Sequence, residues 1–164
     1  MKKLATIVAA LFLLTASTWA QDGNSLYSKY SDNEKVTAVY ISSAMFELIG
    51  KIPNIDMKDS PVDIGSLIKE LKGMYLLGSE DTEIIESLKD DVKKYIKKNK
   101  FEMLMEIKEK GETIKIYTDG SDKTVYQIVV TATGEDGFKF ICLDGEINRK
   151  DLEKAIAESA PKTE

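Results

Sequence analysis

Residues 101–143, FEMLMEIKEKGETIKIYTDGSDKTVYQIVVTATGEDGFKFICL, decide the fold. Apolar Phe101, Met103, Met105 and Ile107 alternate with Glu102, Leu104, Glu106 and Lys108, the period of a strand with one apolar face. Lys110-Gly111-Glu112 turns the chain into Thr113–Thr118, where Ile114 and Ile116 face one way and Lys115 and Tyr117 the other. Asp119-Gly120-Ser121-Asp122 carries the Asp-Gly hairpin signal. Val125–Thr133 is the most continuously apolar run and predicts a central strand. Gly134-Glu135-Asp136-Gly137 turns once more, and Phe138–Leu143 pairs back. Four strands joined by short turns predict an antiparallel meander.

Upstream, Ile84, Ile85, Leu88, Val92, Tyr95 and Ile96 form one helical stripe. Glu80, Asp81 and Glu83 at its start and Lys94, Lys97, Lys98 and Lys100 at its end complement the helix dipole, with Asn99 as C-cap. Met74–Leu77 reads as a short strand before it, and Val36–Ile41 as another. Ser42 or Ser43 can cap a helix carrying Met45, Phe46, Leu48 and Ile49, stopped by Gly50. Ser60 and Pro61 open a further helix with Ile64, Leu67, Ile68 and Leu71, ended by Gly73. After a turn at Asp144-Gly145-Glu146, Asn148 and Asp151 cap a last helix, with Ile147 and Leu152 at staple spacing. The order β-α-α-β-α-β-β-β-β-α predicts an α+β fold, mainly an antiparallel sheet with helices packed on one face.

The ends read differently. Lys2 and Lys3, the apolar stretch Leu4–Leu14 and Thr18-Trp19-Ala20 make residues 1–20 a signal peptide cleaved after Ala20. The polar stretch 21–34 reads as a flexible N-terminal arm, 35–158 as one α+β domain and 159–164 as a tail. Cleavage takes the chain from 164 to 144 residues, and 21 basic against 28 acidic groups leave a net charge of −7. The expected location is periplasmic or secreted, with no transmembrane segment after cleavage. An acidic chain without a basic patch is no candidate for nucleic acid.

Composition removes much chemistry. No His means no Ser-His-Asp triad, no Cys-His dyad and no imidazole ligand. A single Cys, Cys142, allows no internal disulfide or CxxC pair, and its apolar flanks make it a buried structural residue. Met103 and Met105, on one expected strand face, read as core rather than as a copper site. The single Trp, Trp19, lies in the signal, which counts against sugar binding by stacking. Neither Asp119-Gly-Ser-Asp122 nor Asp144-Gly-Glu146 has calcium-loop spacing, and both read as turns. No nucleotide-binding or nucleophile-elbow string is present.

The segments YISSAMFELIGKIP (40–53), SLIKELKGMYLLGSE (66–80) and FICLDGEINRKDLEKAI (140–156) closely resemble the DUF4252 family of secreted Bacteroidetes proteins, over about residues 24–158. The resemblance implies an exported, envelope-associated protein of unassigned function, with a weak link to envelope signalling. It supplies no catalytic residue. The lipid anchor of some members does not transfer, because no Cys stands near the cleavage point.

The expected function is therefore a non-enzymatic module that binds a protein or envelope component, without cofactor or metal. Its contact surface would be a sheet face with Tyr117 and Tyr126, or the helix presenting Tyr95. An Asp/Glu hydrolase, with or without a divalent metal, would instead need a concave pocket holding two carboxylates of raised pKa. A small apolar-ligand carrier would need an apolar cavity between sheet and helices. Export is directly measurable: expressed with its first 20 residues in a Gram-negative host, the chain should be recovered outside the cytoplasm with Gln21 as its N-terminus by intact mass. Recovery of a membrane-bound chain still carrying residues 1–20 would refute the cleavage.

Overall fold

The computed structural model describes residues 23–50 and 69–159. Its elements are α1 (Gly23–Tyr30), β1 (Thr37–Ser42), α2 (Ser43–Gly50), β2 (Leu71–Ser79), α3 (Thr82–Lys98), β3 (Glu102–Glu109), β4 (Glu112–Gly120), β5 (Thr124–Gly134), β6 (Gly137–Asn148) and α4 (Arg149–Ser159). The six strands form one sheet in the order β1-β2-β6-β5-β4-β3, antiparallel at every pairing. The expected α+β class and the four-strand meander are both present, and β5 and β6 occupy the centre.

Each element has a local cause. The Asp81 side chain accepts from the backbone N–H groups of Glu83 and Ile84 and so caps α3, while Asn99 ends it. The β3–β4 hairpin turns on Lys110 and Gly111, both at positive φ (48° and 86°), which suits the twist of a two-residue loop. Gly137, at φ 95°, leads the β5–β6 hairpin so close to β2 that a Cβ there would stand 2.1 Å from the Ser79 carbonyl oxygen.

Paired residues share a face of an antiparallel sheet, so the register assigns every side chain. On the first face one row runs Tyr40, Tyr75, Cys142, Val129, Tyr117, Met103 from β1 to β3. The row beside it runs Ala38, Leu77, Phe140, Thr131, Lys115, Glu106. The second row is apolar from β1 to β6 and becomes polar across β5, β4 and β3, whereas the first stays apolar through Val129 and ends in half-buried Tyr117 and exposed Met103. Helices α1 and α3 cover the apolar half: Leu26 and Tyr30 of α1 and Leu88, Val92 and Tyr95 of α3 are buried with Leu77, Phe140 and Cys142. On the second face Leu152 of α4 closes a smaller cluster with Val125, Ile128 and Ile147. One helix-covered face thus describes α1 and α3, whereas α4 sits behind the sheet.

Four local expectations are corrected. The arm expected over 21–34 contains helix α1, anchored where Tyr30 Oη (2.7 Å) and Lys29 Nζ both donate to Asp91 of α3. Burial alone would raise the Asp91 pKa, but those two hydrogen bonds and the charges of Lys29 and Lys94 bring it below the usual carboxylate value. The expected end of the second helix, Leu71–Gly73, lies in β2; residues 51–68 of that expectation fall outside the described residues, as do the signal peptide and most of the 159–164 tail. The Asp144-Gly145-Glu146 turn is continuous strand, with Gly145 pressed against the Glu70 carbonyl. Finally, a register shift between Met103 and Met105 pairs Met103 with Tyr117 and Met105 with Ile116, so the two methionines face opposite sides.

Since α1 is core, Leu26→Ala should lower unfolding free energy by about 2–5 kcal/mol in urea titration. No loss would return residues 23–30 to the status of an arm.

Candidate functional site

The tyrosines expected to form one contact surface do not. Tyr95 is fully buried, and burial, with Cys142 beside it, raises its pKa. Tyr117 is half-buried against the main core. Tyr126 is exposed at the β5 register shift between Val125 and Gln127.

Tyr95 instead heads a hydrogen-bonded chain. Its hydroxyl donates to Gln127 Oε1 (2.7 Å), and Gln127 Nε2 donates to Asp144 Oδ1 (2.8 Å). The Cys142 thiol donates to the same oxygen (3.5 Å) and lies 3.8 Å from the Tyr95 hydroxyl. The register continues this row to Asp119, which pairs with Gln127 as Gln127 pairs with Asp144. Burial, then the charge of Asp144, raises the Asp119 pKa. Two carboxylates read from sequence as parts of separate turns thus become neighbours across one strand. Gln127 is the link, and no local signal marks it. Chemically the row can hold a proton at Asp119 and fixes the Tyr95 end of α3. Among the described residues no group of three or more His, Cys, Asp or Glu could hold a metal ion.

The second sheet face has a different character. Its middle row is Val39, Leu76, Ile141, Val130, Ile116 and Met105, one from each strand and all apolar. The row below is Ile41, Met74, Leu143, Ile128, Thr118 and, at the β3 edge, Glu102. No side chain of the middle row is fully buried, and Val39 at one edge is 39 % exposed. By contrast Cys142 and Val129, behind the same part of the sheet, are 0 % exposed. Ile107, 40 % exposed, extends the surface on β3. Six strands spaced about 4.8 Å apart make a face roughly 24 Å wide and 20–27 Å tall. An apolar patch of several hundred Å² is a mark of an interaction surface. Each strand's alternation was legible in sequence, but whether a helix would cover the second face was not.

Among the described residues no helix is long and apolar enough to cross a membrane. A family model described as a domain of unknown function, DUF4252, matches residues 30–155. No curated protein and no solved structure matches the chain.

Asp119 yields a signed test. Its folded-state pKa is raised, so the folded state loses stability as pH rises from the unfolded value through the folded one. Asp119→Asn should therefore raise the urea midpoint at pH 7, with a smaller gain near pH 4, where the native carboxyl is already protonating. A variant less stable at pH 7 than the parent would contradict this.

Proposed function

Because the chain belongs to the DUF4252 family, which brings no assigned activity with it, we propose from the geometry that it is a non-enzymatic interaction module of the cell envelope that pairs with a second copy through the apolar face of its sheet. The observation that carries this reading is the row from Val39 to Met105, apolar from one edge of the sheet to the other and nowhere fully buried.

A second copy suits this face for two reasons. The face projects roughly 500–650 Å² in all, and the part left open beside the α4 cluster of Val125, Ile128, Ile147 and Leu152 suits the smaller area of a weak, micromolar pair. The middle row carries no charge, and the rows beside it carry only Glu102 at the β3 end of one and Lys139 on β6 in the other, so a like face turned through a two-fold axis sets apolar groups against apolar groups along that row. Sheet-on-sheet packing at about 10 Å spacing is a stable arrangement for two such faces. The signal-like residues 1–20 support a location outside the cytoplasm in this reading.

Analytical ultracentrifugation of the mature chain tests it. The parent should sediment as a dimer at micromolar concentration. Val39→Lys with Ile107→Lys, both at already exposed positions, should give a monomer with the parent's far-UV circular dichroism. A monomeric parent, or a double variant that remains dimeric, would overturn the proposal.

A further inference from the structure

The first face of the sheet, opposite the proposed pairing surface, is six strands wide, and an α-helix is only about 10 Å across. Helices α1 and α3 cover β2, β6 and part of β5, where the side chains are apolar. Beyond α3 a groove of about 380 Å³ remains between that helix and strands β4 and β5.

Its two sides differ in chemistry. The inner floor is apolar, formed by half-buried Ile96 of α3 and Tyr117 of β4 above Val92 and Phe138, which are buried in the core beneath them. The strand wall carries the hydroxyls of Thr113, Thr131 and Thr133. The rim is cationic: Lys89 and Lys93 stand one helical turn apart on α3, and Lys115 faces them from β4. Lys89 Nζ lies 5.6 Å from the Phe138 ring centroid, over the floor. Lys115 is held 3.1 Å from Glu106, which also pairs with Lys108 at 3.2 Å, so this carboxylate is already shared between two cations. The result is a lysine-rimmed cavity on a chain of net charge −5.

We propose that this groove binds a single-chain anionic amphiphile, a long-chain carboxylate, with its head group between Lys89 and Lys93 and its chain along Ile96 and Tyr117. Charge complementarity selects the anion, and the apolar floor selects the tail. A volume near the lower end of the ~300–1,000 Å³ range of small-molecule sites suits one alkyl chain and excludes a two-chain phospholipid. The proposal is independent of the pairing surface, which lies on the other side of the sheet.

Titration with dodecanoate, followed by calorimetry and by amide shifts in NMR spectra, tests it. Dodecanoate should bind one per chain and shift resonances of α3, β4 and β5, whereas dodecyltrimethylammonium should not bind there. Lys93→Glu, at an exposed position without structural cost, should weaken dodecanoate binding by about tenfold or more, the scale of one lost charge-assisted contact. Thr113→Trp should weaken it by filling the groove while leaving charge unchanged. Equal binding of the cationic amphiphile, shifts confined to Val39, Val130 and Ile116, or full affinity in both variants would overturn the proposal.

Discussion

Strand β6 is the constraint on which the rest of the structure depends. It alone hydrogen-bonds to both β2 and β5, and so joins the β1–β2 pair to the β3–β4–β5 meander. It can do so because its middle, from Phe138 to Leu143, is apolar on both faces apart from Lys139. Phe138, Phe140 and Cys142 enter the core beneath α1 and α3, while Ile141, Leu143 and Ile147 point to the other side. Both helical layers are referred to this strand. Gly23 lets α1 approach so closely that a Cβ there would meet Cys142 Sγ at 2.6 Å, and α4 begins where β6 ends. A polar substitution at Phe140 would cost the core and the junction of the two half-sheets together.

What was legible in the sequence is what local chemistry determines. The stripe of α3, its Asp81 and Asn99 caps, the alternation in β4 and the apolar run of β5 all depend on near neighbours in the chain. Helix α1 was not legible, because GNSLYSKY is eight residues of weak amphipathic pattern. Its stability comes from distant partners, the Cys142 surface and the Asp91 carboxylate. Asp144-Gly145 carries a turn signal, yet strand pairing on both sides overrides it, and the glycine serves a close approach to the Glu70 backbone instead. The shift at Leu104 was invisible because strict alternation gives no sign of a residue that drops out of register.

The functional surfaces follow the same division. Aromatic residues attract attention in a sequence, but Tyr95, Tyr117 and Tyr126 end in three separate environments. The Asp119–Gln127–Asp144 row depends on cross-strand register, which composition and periodicity do not encode. Apolar residues on the second face were visible strand by strand. Their joint significance appears only when the register aligns them and, among the described residues, α4 is seen to close only the end of that side around Ile128 and Ile147.

The edges of the sheet give the molecule a further property. Strand β1 has only six residues and passes directly into α2, while β3 carries Glu102, Glu106, Lys108 and Glu109 and an irregular register. Short, charged or kinked borders are poor templates for an added strand. Backbone-to-backbone growth, which has no natural end point, is therefore discouraged on both flanks. Whatever contacts the broad apolar surface makes must then use side chains. Such contacts end in a finite assembly, because a side-chain surface, unlike a strand edge, is used up once it is covered.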